Sequence, residues 1–153
     1  MDAGSLADIE AVRQLKARYF RLMDTKRWDE WRDVFTDDLL VWVPDDSGVE
    51  DPTVGRDAFV EGTRAFIEAV TTIHHGHMSE VRVDGDTATG ITAMEDHLWW
   101  PPGGPMAHMW GTGWYEETYR RGDDGEWRIA TMRLRRIRIE VDGDVVFPRG
   151  SRP

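Results

Sequence analysis

The chain has 153 residues and no cysteine, and its 19 Lys and Arg stand against 29 Asp and Glu for a net charge of −10. That length suits one domain, residues 1–153, large enough for a core and a small-molecule pocket. The acidity argues against nucleic acid or an anionic lipid surface as partner, and the missing thiols exclude disulfides, thiolate chemistry and cysteine-based zinc sites.

Ser5 with Asp8 three positions later resembles a capping box, and Ile9, Val12, Lys16, Tyr19, Phe20 and Met23 then recur at helical spacing, which predicts an amphipathic helix of about five turns. Asp24 closes it at the border of the apolar stripe, where a carboxylate can lean inward. Trp28, Trp31, Val34 and Phe35 predict a second, shorter helix ended by Thr36-Asp37-Asp38. Leu39 to Val43 is a continuous apolar run before Pro44, as in a buried strand, and 45–52 reads as a loop or hairpin tip. A third helix starts at Gly55-Arg56-Asp57 and carries Phe59, Val60, Thr63, Phe66, Ile67 and Val70.

From Thr71 the texture changes to long strands, over about 72–83, 87–100, 106–121 and 126–140, set apart by turn signals at Asp84-Gly85 and Gly122-Asp123-Asp124-Gly125, with Asp142-Gly143 after the last. Pro101-Pro102-Gly103-Gly104-Pro105 separates the middle pair as a loop. Helices followed by an antiparallel meander predict an α+β fold with three N-terminal helices on one face of a strongly curved sheet. Residues 148–153 lack apolar side chains and read as a frayed tail. The N-terminus shows no basic stretch before an apolar run, and no apolar segment reaches membrane-spanning length, so the sequence reads as soluble and cytoplasmic, with no membrane partner.

Three of the five histidines fall in Thr71-Thr72-Ile73-His74-His75-Gly76-His77, at the start of the first long strand. An imidazole in a dry pocket with a carboxylate behind it is a ready proton acceptor, and Asp24 is the candidate carboxylate. The plainer alternative is a set of histidines satisfying polar groups at a strand end. His75 and His77 share one strand face, and with His97 or His108 they invite a metal reading, but no complete ligand set can be counted, so no metal is assigned. A histidine-bearing oligomer contact is the commoner explanation. Arg133, Arg135, Arg136 and Arg138 cannot all point one way from a single strand, so some are expected to pair with Glu116 and Glu117. The chain has eight tryptophans, and Trp42, Trp99 and Trp110 are the expected pocket walls.

Tyr19 and Asp24 closing the first helix, Thr72-Ile73-His74 opening a strand, Val83-Asp84-Gly85-Asp86-Thr87-Ala88 and Gly125-Glu126-Trp127-Arg128-Ile129 together resemble the SnoaL-like group of the nuclear transport factor 2-like superfamily, over roughly residues 6–140. The resemblance implies a cone-shaped α+β roll. Within the superfamily the nearest look is to proton-abstracting lyases: the scytalone dehydratases, bile acid 7α-dehydratases and lindane dehydrochlorinases. By that resemblance His74 is the base and Asp24 its orienting partner. Tyr19 is an acid or hydrogen-bond donor, and Asp96 and Arg136 supply further polar help, with His97 and Arg138 as rivals if the register slips. Phe20 and Met78 join the three tryptophans as expected substrate contacts.

The function expected from these readings is a cofactor-independent lyase, a dehydratase-type eliminase acting on a hydrophobic, cyclic small molecule. An isomerase or polyketide-type cyclase using the same base, or a non-catalytic binding or assembly module, are the alternatives. The resemblance also implies self-association as a homodimer or homotrimer.

Overall fold

Helix α1 (Ala3–Asp24) buries Val12, Leu15, Tyr19, Phe20, Leu22 and Met23, positions that recur every three or four residues and so fall on one side of a helix. Lys16 lies on the same stripe and is buried with it. Its ammonium meets Glu117 at 2.6 Å and sits 3.6 Å from the ring centres of Tyr19 and Tyr115. Burial lowers Lys16 to about 8, against the raising influence of Glu117. The Tyr119 hydroxyl donates to the same carboxylate. Glu117 therefore serves the core, and only Glu116 takes an arginine, Arg135 at 3.5 Å.

This computed structural model describes residues 3–149, so residues 150–153 of the expected tail lie outside the described residues. Because α1 already begins at Ala3, Ser5 lies within its first turn and does not cap it. Asp8 instead accepts from Arg121 at 2.7 Å and from the Trp127 indole at 3.1 Å. At the other end, the Arg27 amide donates to the Leu22 carbonyl at 2.9 Å and the Lys26 amide to that of Met23 at 3.1 Å, with Lys26 at φ +59°. That pair of bonds is a Schellman termination, and Lys26 holds its left-handed position.

Helix α2 (Trp28–Arg32) is shorter than expected, because strand β1 (Phe35–Trp42) starts at Phe35 and takes in Thr36-Asp37-Asp38. Trp31, buried, meets Phe35 edge-on at 5.0 Å and tilts against Phe59 at 5.5 Å, which ties α2 to the strand and to the later helix. The segment expected as loop contains a further helical turn, α3 (Pro44–Ser47). Its start is stabilised by proline in the first turn and by Asp45 and Asp46 beside the positive end of the turn, and it stops at Gly48 with φ +71°. The described residues thus hold four helices, not three. Strand β2 (Thr53–Val54) pairs with β1, and α4 (Arg56–Ile67) ends before Val70.

Strands β3 (Thr71–Asp84), β4 (Thr87–Trp99), β5 (His108–Arg121) and β6 (Trp127–Val141) form the expected meander, and β1 adds to β6 in parallel. Beyond the Asp142-Gly143 turn, β7 (Asp144–Phe147) folds back on β6. The sheet order is β2-β1-β6-β5-β4-β3, with β7 off that path. The result is a cone-shaped α+β roll with the helices over the concave face. Bulges supply the curvature, one between His77 and Glu80 and two along the β5–β6 pair. Gly113 permits one of these: a Cβ there would lie 1.9 Å from the Arg135 carbonyl oxygen. No helix among the described residues is long and apolar enough to cross a membrane.

Candidate active site

Between α3, α4 and the concave face lies a cavity of about 450 Å³, a size typical of small-molecule sites. Met23, Phe59, Phe66, Leu98, Met132 and Leu134 provide apolar wall, while Tyr19, Tyr115, His74, Asp96, Arg136 and Asp46 provide the polar groups. Strand alternation explains the selection on β3 and β4: Thr72, His74 and Gly76 face inward, as do Asp96 and Leu98. Asp96 and Arg136 therefore take the inward places for which His97 and Arg138 were rivals.

His74 and Asp24, fifty residues apart, meet directly. Asp24 Oδ1 lies 2.6 Å from His74 Nδ1, and Oδ2 accepts from the His74 backbone N–H at 2.8 Å. Thr72 Oγ1 donates to Oδ1 at 2.8 Å and accepts from Lys26 Nζ at 2.9 Å. A carboxylate can only accept, so in the neutral imidazole the proton sits on Nδ1 and Nε2 is the bare nitrogen. The ring's side chain is 9% exposed and lines the cavity. Phe20 stacks on it at 6.4 Å and 18°, over Gly76, where a Cβ would come within 2.5 Å of the Phe20 ring. Phe20 thus backs the imidazole and is not itself on the cavity wall, a correction to its expected role as a substrate contact.

His74 Nε2 stands 3.7 Å from Asp96 Oδ2. Asp96 in turn accepts from both terminal nitrogens of Arg136, at 2.8 and 2.9 Å. Asp46, on α3, accepts from Arg136 Nε and Nη2 at 2.7 and 2.8 Å, Met94 Sδ is 3.6 Å from Nη1, and Asp45 accepts from the Arg136 backbone N–H. Burial works against the Arg136 charge, but the two carboxylates outweigh it and raise its pKa. With all of its guanidinium nitrogens engaged, Arg136 is a structural clamp between β4, β6 and α3. Room for the clamp comes from Gly111, where a Cβ would fall 2.4 Å from Arg136 Nη1 and 2.7 Å from Asp96 Oδ1. Gly111→Ala should cost about 1 to 3 kcal/mol in urea denaturation through this overpacking.

Tyr19 and Tyr115 line the cavity with their hydroxyls hydrogen-bonded to each other. Burial, reinforced by nearby carboxylates, raises both well above ordinary tyrosine, so both remain neutral donors.

The expected tryptophan walls are elsewhere. Trp42 is in register with Arg133, whose guanidinium covers its ring, on the outer face of the sheet. Trp110 lies between Met109 and Gly111, both inward, and so points outward. Trp99, 42% exposed, stacks outside on His97 and His108. Met78 sits at the β3 bulge, 98% exposed and away from the cavity. His75 and His77 also face outward, with Glu95 Oε1 at 3.5 and 3.7 Å. No set of three or more His, Asp or Glu among the described residues is arranged to hold a metal ion.

The SnoaL-like domain model matches residues 4–133. The chain belongs to the SnoaL-like family. Among solved structures, this SnoaL-like chain is similar to the Kfla4162 protein of Kribbella flavida, with 26% identity, 91% of this chain and 95% of that chain covered, and a TM-score of 0.80. It shares its fold with a protein named as a scytalone dehydratase from Novosphingobium aromaticivorans (20% identity, 88% and 87% covered, TM-score 0.76) and with a type 2 hexachlorocyclohexane dehydrochlorinase (17% identity, 89% of each chain covered, TM-score 0.75). The SnoaL-like cone explains why the site draws on α1, α3, β3, β4, β5 and β6 at once. Asp46, Tyr115, Gly111 and the Thr72 hydroxyl escaped the sequence reading. Only Asp46 had a signal, since Pro44 followed by two acids is a helix-start pattern.

Proposed function

We propose that this chain is a cofactor-independent lyase of the dehydratase type, acting on a hydrophobic, cyclic small molecule with His74 as general base. The observation that carries the reading is the Asp24–His74 contact of 2.6 Å, which leaves a bare Nε2 at the cavity wall. In the reaction the substrate C–H proton passes to Nε2. The electron pair left on carbon forms the new double bond as the C–O bond breaks, and the leaving hydroxyl takes the proton back from the His74 imidazolium to depart as water, which returns the base to its neutral form. The imidazolium so formed lies between the carboxylates of Asp24 and Asp96, so the charge that develops on the base is matched by charge already in place. Tyr19 and Tyr115 are held neutral and share one hydrogen bond, so the pair has one O–H left to donate to a developing oxyanion or to the departing oxygen. The greasy wall supports an apolar substrate body and keeps water from competing for the base.

The test is a set of cyclic β-hydroxy ketones in D₂O, followed by NMR and mass spectrometry. Wild-type protein should exchange the acidic C–H and release water to give the unsaturated ketone. Exchange with the hydroxyl retained would transfer the site to isomerisation or cyclisation, and exchange unaffected by His74→Gln would remove the base assignment altogether.

A further inference from the structure

The Schellman position at the end of α1 favours glycine, because a Cβ is crowded at positive φ. Here it is occupied by Lys26 at φ +59°. A non-glycine residue kept in that conformation calls for a reason in what its side chain reaches. From this turn the Lys26 chain folds back over the helix end, and its ammonium donates to Thr72 Oγ1 at 2.9 Å; that hydroxyl donates to Asp24 Oδ1 at 2.8 Å, the same oxygen that holds His74 Nδ1 at 2.6 Å. Three consecutive hydrogen bonds thus join a half-buried surface ammonium to the back of the imidazole.

We propose that Lys26 is a positioning residue for the His74–Asp24 pair, fixing the Thr72 hydroxyl on the carboxylate and offsetting part of the negative charge that Asp24 presents to the ring. The inference rests on the reading of His74 as the base. Without the ammonium, Asp24 would favour the imidazolium more strongly, and a base that is already protonated accepts nothing. Lys26 thereby extends the pH range of the unprotonated base downward.

The charged groups around this wire are few and their signs are clear. Lys26 faces Asp24 from α1 and Glu68 from the end of α4. Burial lowers its pKa, while those two carboxylates oppose the fall. Glu68 is shared with the Trp28 indole at 2.5 Å and Arg64 at 3.2 Å, so it is not a free competitor for the ammonium. His74 faces Asp24 on one side and Asp96 on the other, the latter clamped to Arg136 and through it to Asp46. The Phe20 face and the neutral Tyr19 and Tyr115 complete the surroundings.

The experiment is an NMR titration of the His74 imidazole in the full-length protein, compared with Lys26→Met, Lys26→Arg, Lys26→Asn and Thr72→Val. Lys26→Met should move the His74 midpoint upward by on the order of 0.5 to 1 pH unit, the size expected for one charge removed at a partly exposed site several ångströms away. Lys26→Arg keeps the charge and should restore the wild-type curve, and Thr72→Val should shift it in the same direction as the methionine variant. Lys26→Asn separates structure from function: asparagine suits the left-handed position, so melting temperature should rise while the titration still shifts upward. A Lys26→Met or Lys26→Asn curve that superimposes on the wild type overturns the proposal, and it does so without touching the assignment of His74 as base, which is decided by turnover.

Discussion

His74→Gln is expected to lower turnover by about 10² to 10⁴-fold, the usual contribution of a positioned general base, with circular dichroism and melting temperature close to wild type. Glutamine fills similar space and retains polar groups, but it offers no nitrogen that accepts a proton at neutral pH. Asp24→Asn is the companion variant. An amide facing Nδ1 can present N–H where the carboxylate presented only oxygen, which favours the tautomer with the proton on Nε2, pointed at the substrate. Serine proteases obey the same logic: exchanging the triad aspartate for asparagine leaves their geometry intact and removes most of the rate. In this chain the Asp24 carboxylate also accepts from Thr72 and from the His74 backbone, so Asp24→Asn should lose some stability as well as rate. A His74→Gln protein that turns over substrate like the wild type would leave the cavity without its chemistry.

Arg136→Met should destabilise the fold by about 3 to 5 kcal/mol, because it removes one member of a buried charged set and strands the others. The Arg136 side chain is 2% exposed and Asp96 is 4% exposed, and without the guanidinium the Asp96 and Asp46 carboxylates would face each other unneutralised. The expected signature in urea denaturation is a lower midpoint with an unchanged slope, since the surface exposed on unfolding is the same. Adding Asp96→Asn in the same chain should recover part of the loss, because the amide no longer needs a cation. A loss under about 1 kcal/mol, the usual size for an exposed ion pair, would show that Arg136 is not the clamp described. The double variant also bears on the site: Asp96 supplies one of the two carboxylates beside His74, so stability should recover while turnover does not.

Much of this was legible one segment at a time. The α1 stripe, the turn dipeptides that end β3 and β6, and the proline-glycine loop before β5 are each written within a dozen residues, and the structure places them where periodicity puts them. Lys16 was legible as a position on the stripe but not as a buried cation, since nothing near it in sequence announces Glu117, a hundred residues on. Trp42, Trp99 and Trp110 mark the opposite failure. Size and apolarity say that a ring wants cover, yet the sheet has two faces, and alternation sends these three to the outer one. Met78 shows why register is fragile: the bulge between His77 and Glu80 changes which side chains face inward, and a slip of one residue reverses every assignment beyond it.

By itself, the amino-acid sequence determined the α+β class, the order of the long helices and the four long strands, and the presence of a histidine and a helix-end aspartate of the right chemical types, because helix and strand periodicities and turn propensities act over a few neighbouring residues. Only the tertiary structure decided that Asp24 and His74 touch, that Asp96 and Arg136 turn inward and clamp α3 through Asp46, and that a glycine at position 111 leaves room for them. Those outcomes depend on bulges, sheet curvature and contacts spanning about forty to ninety residues, which no local pattern encodes.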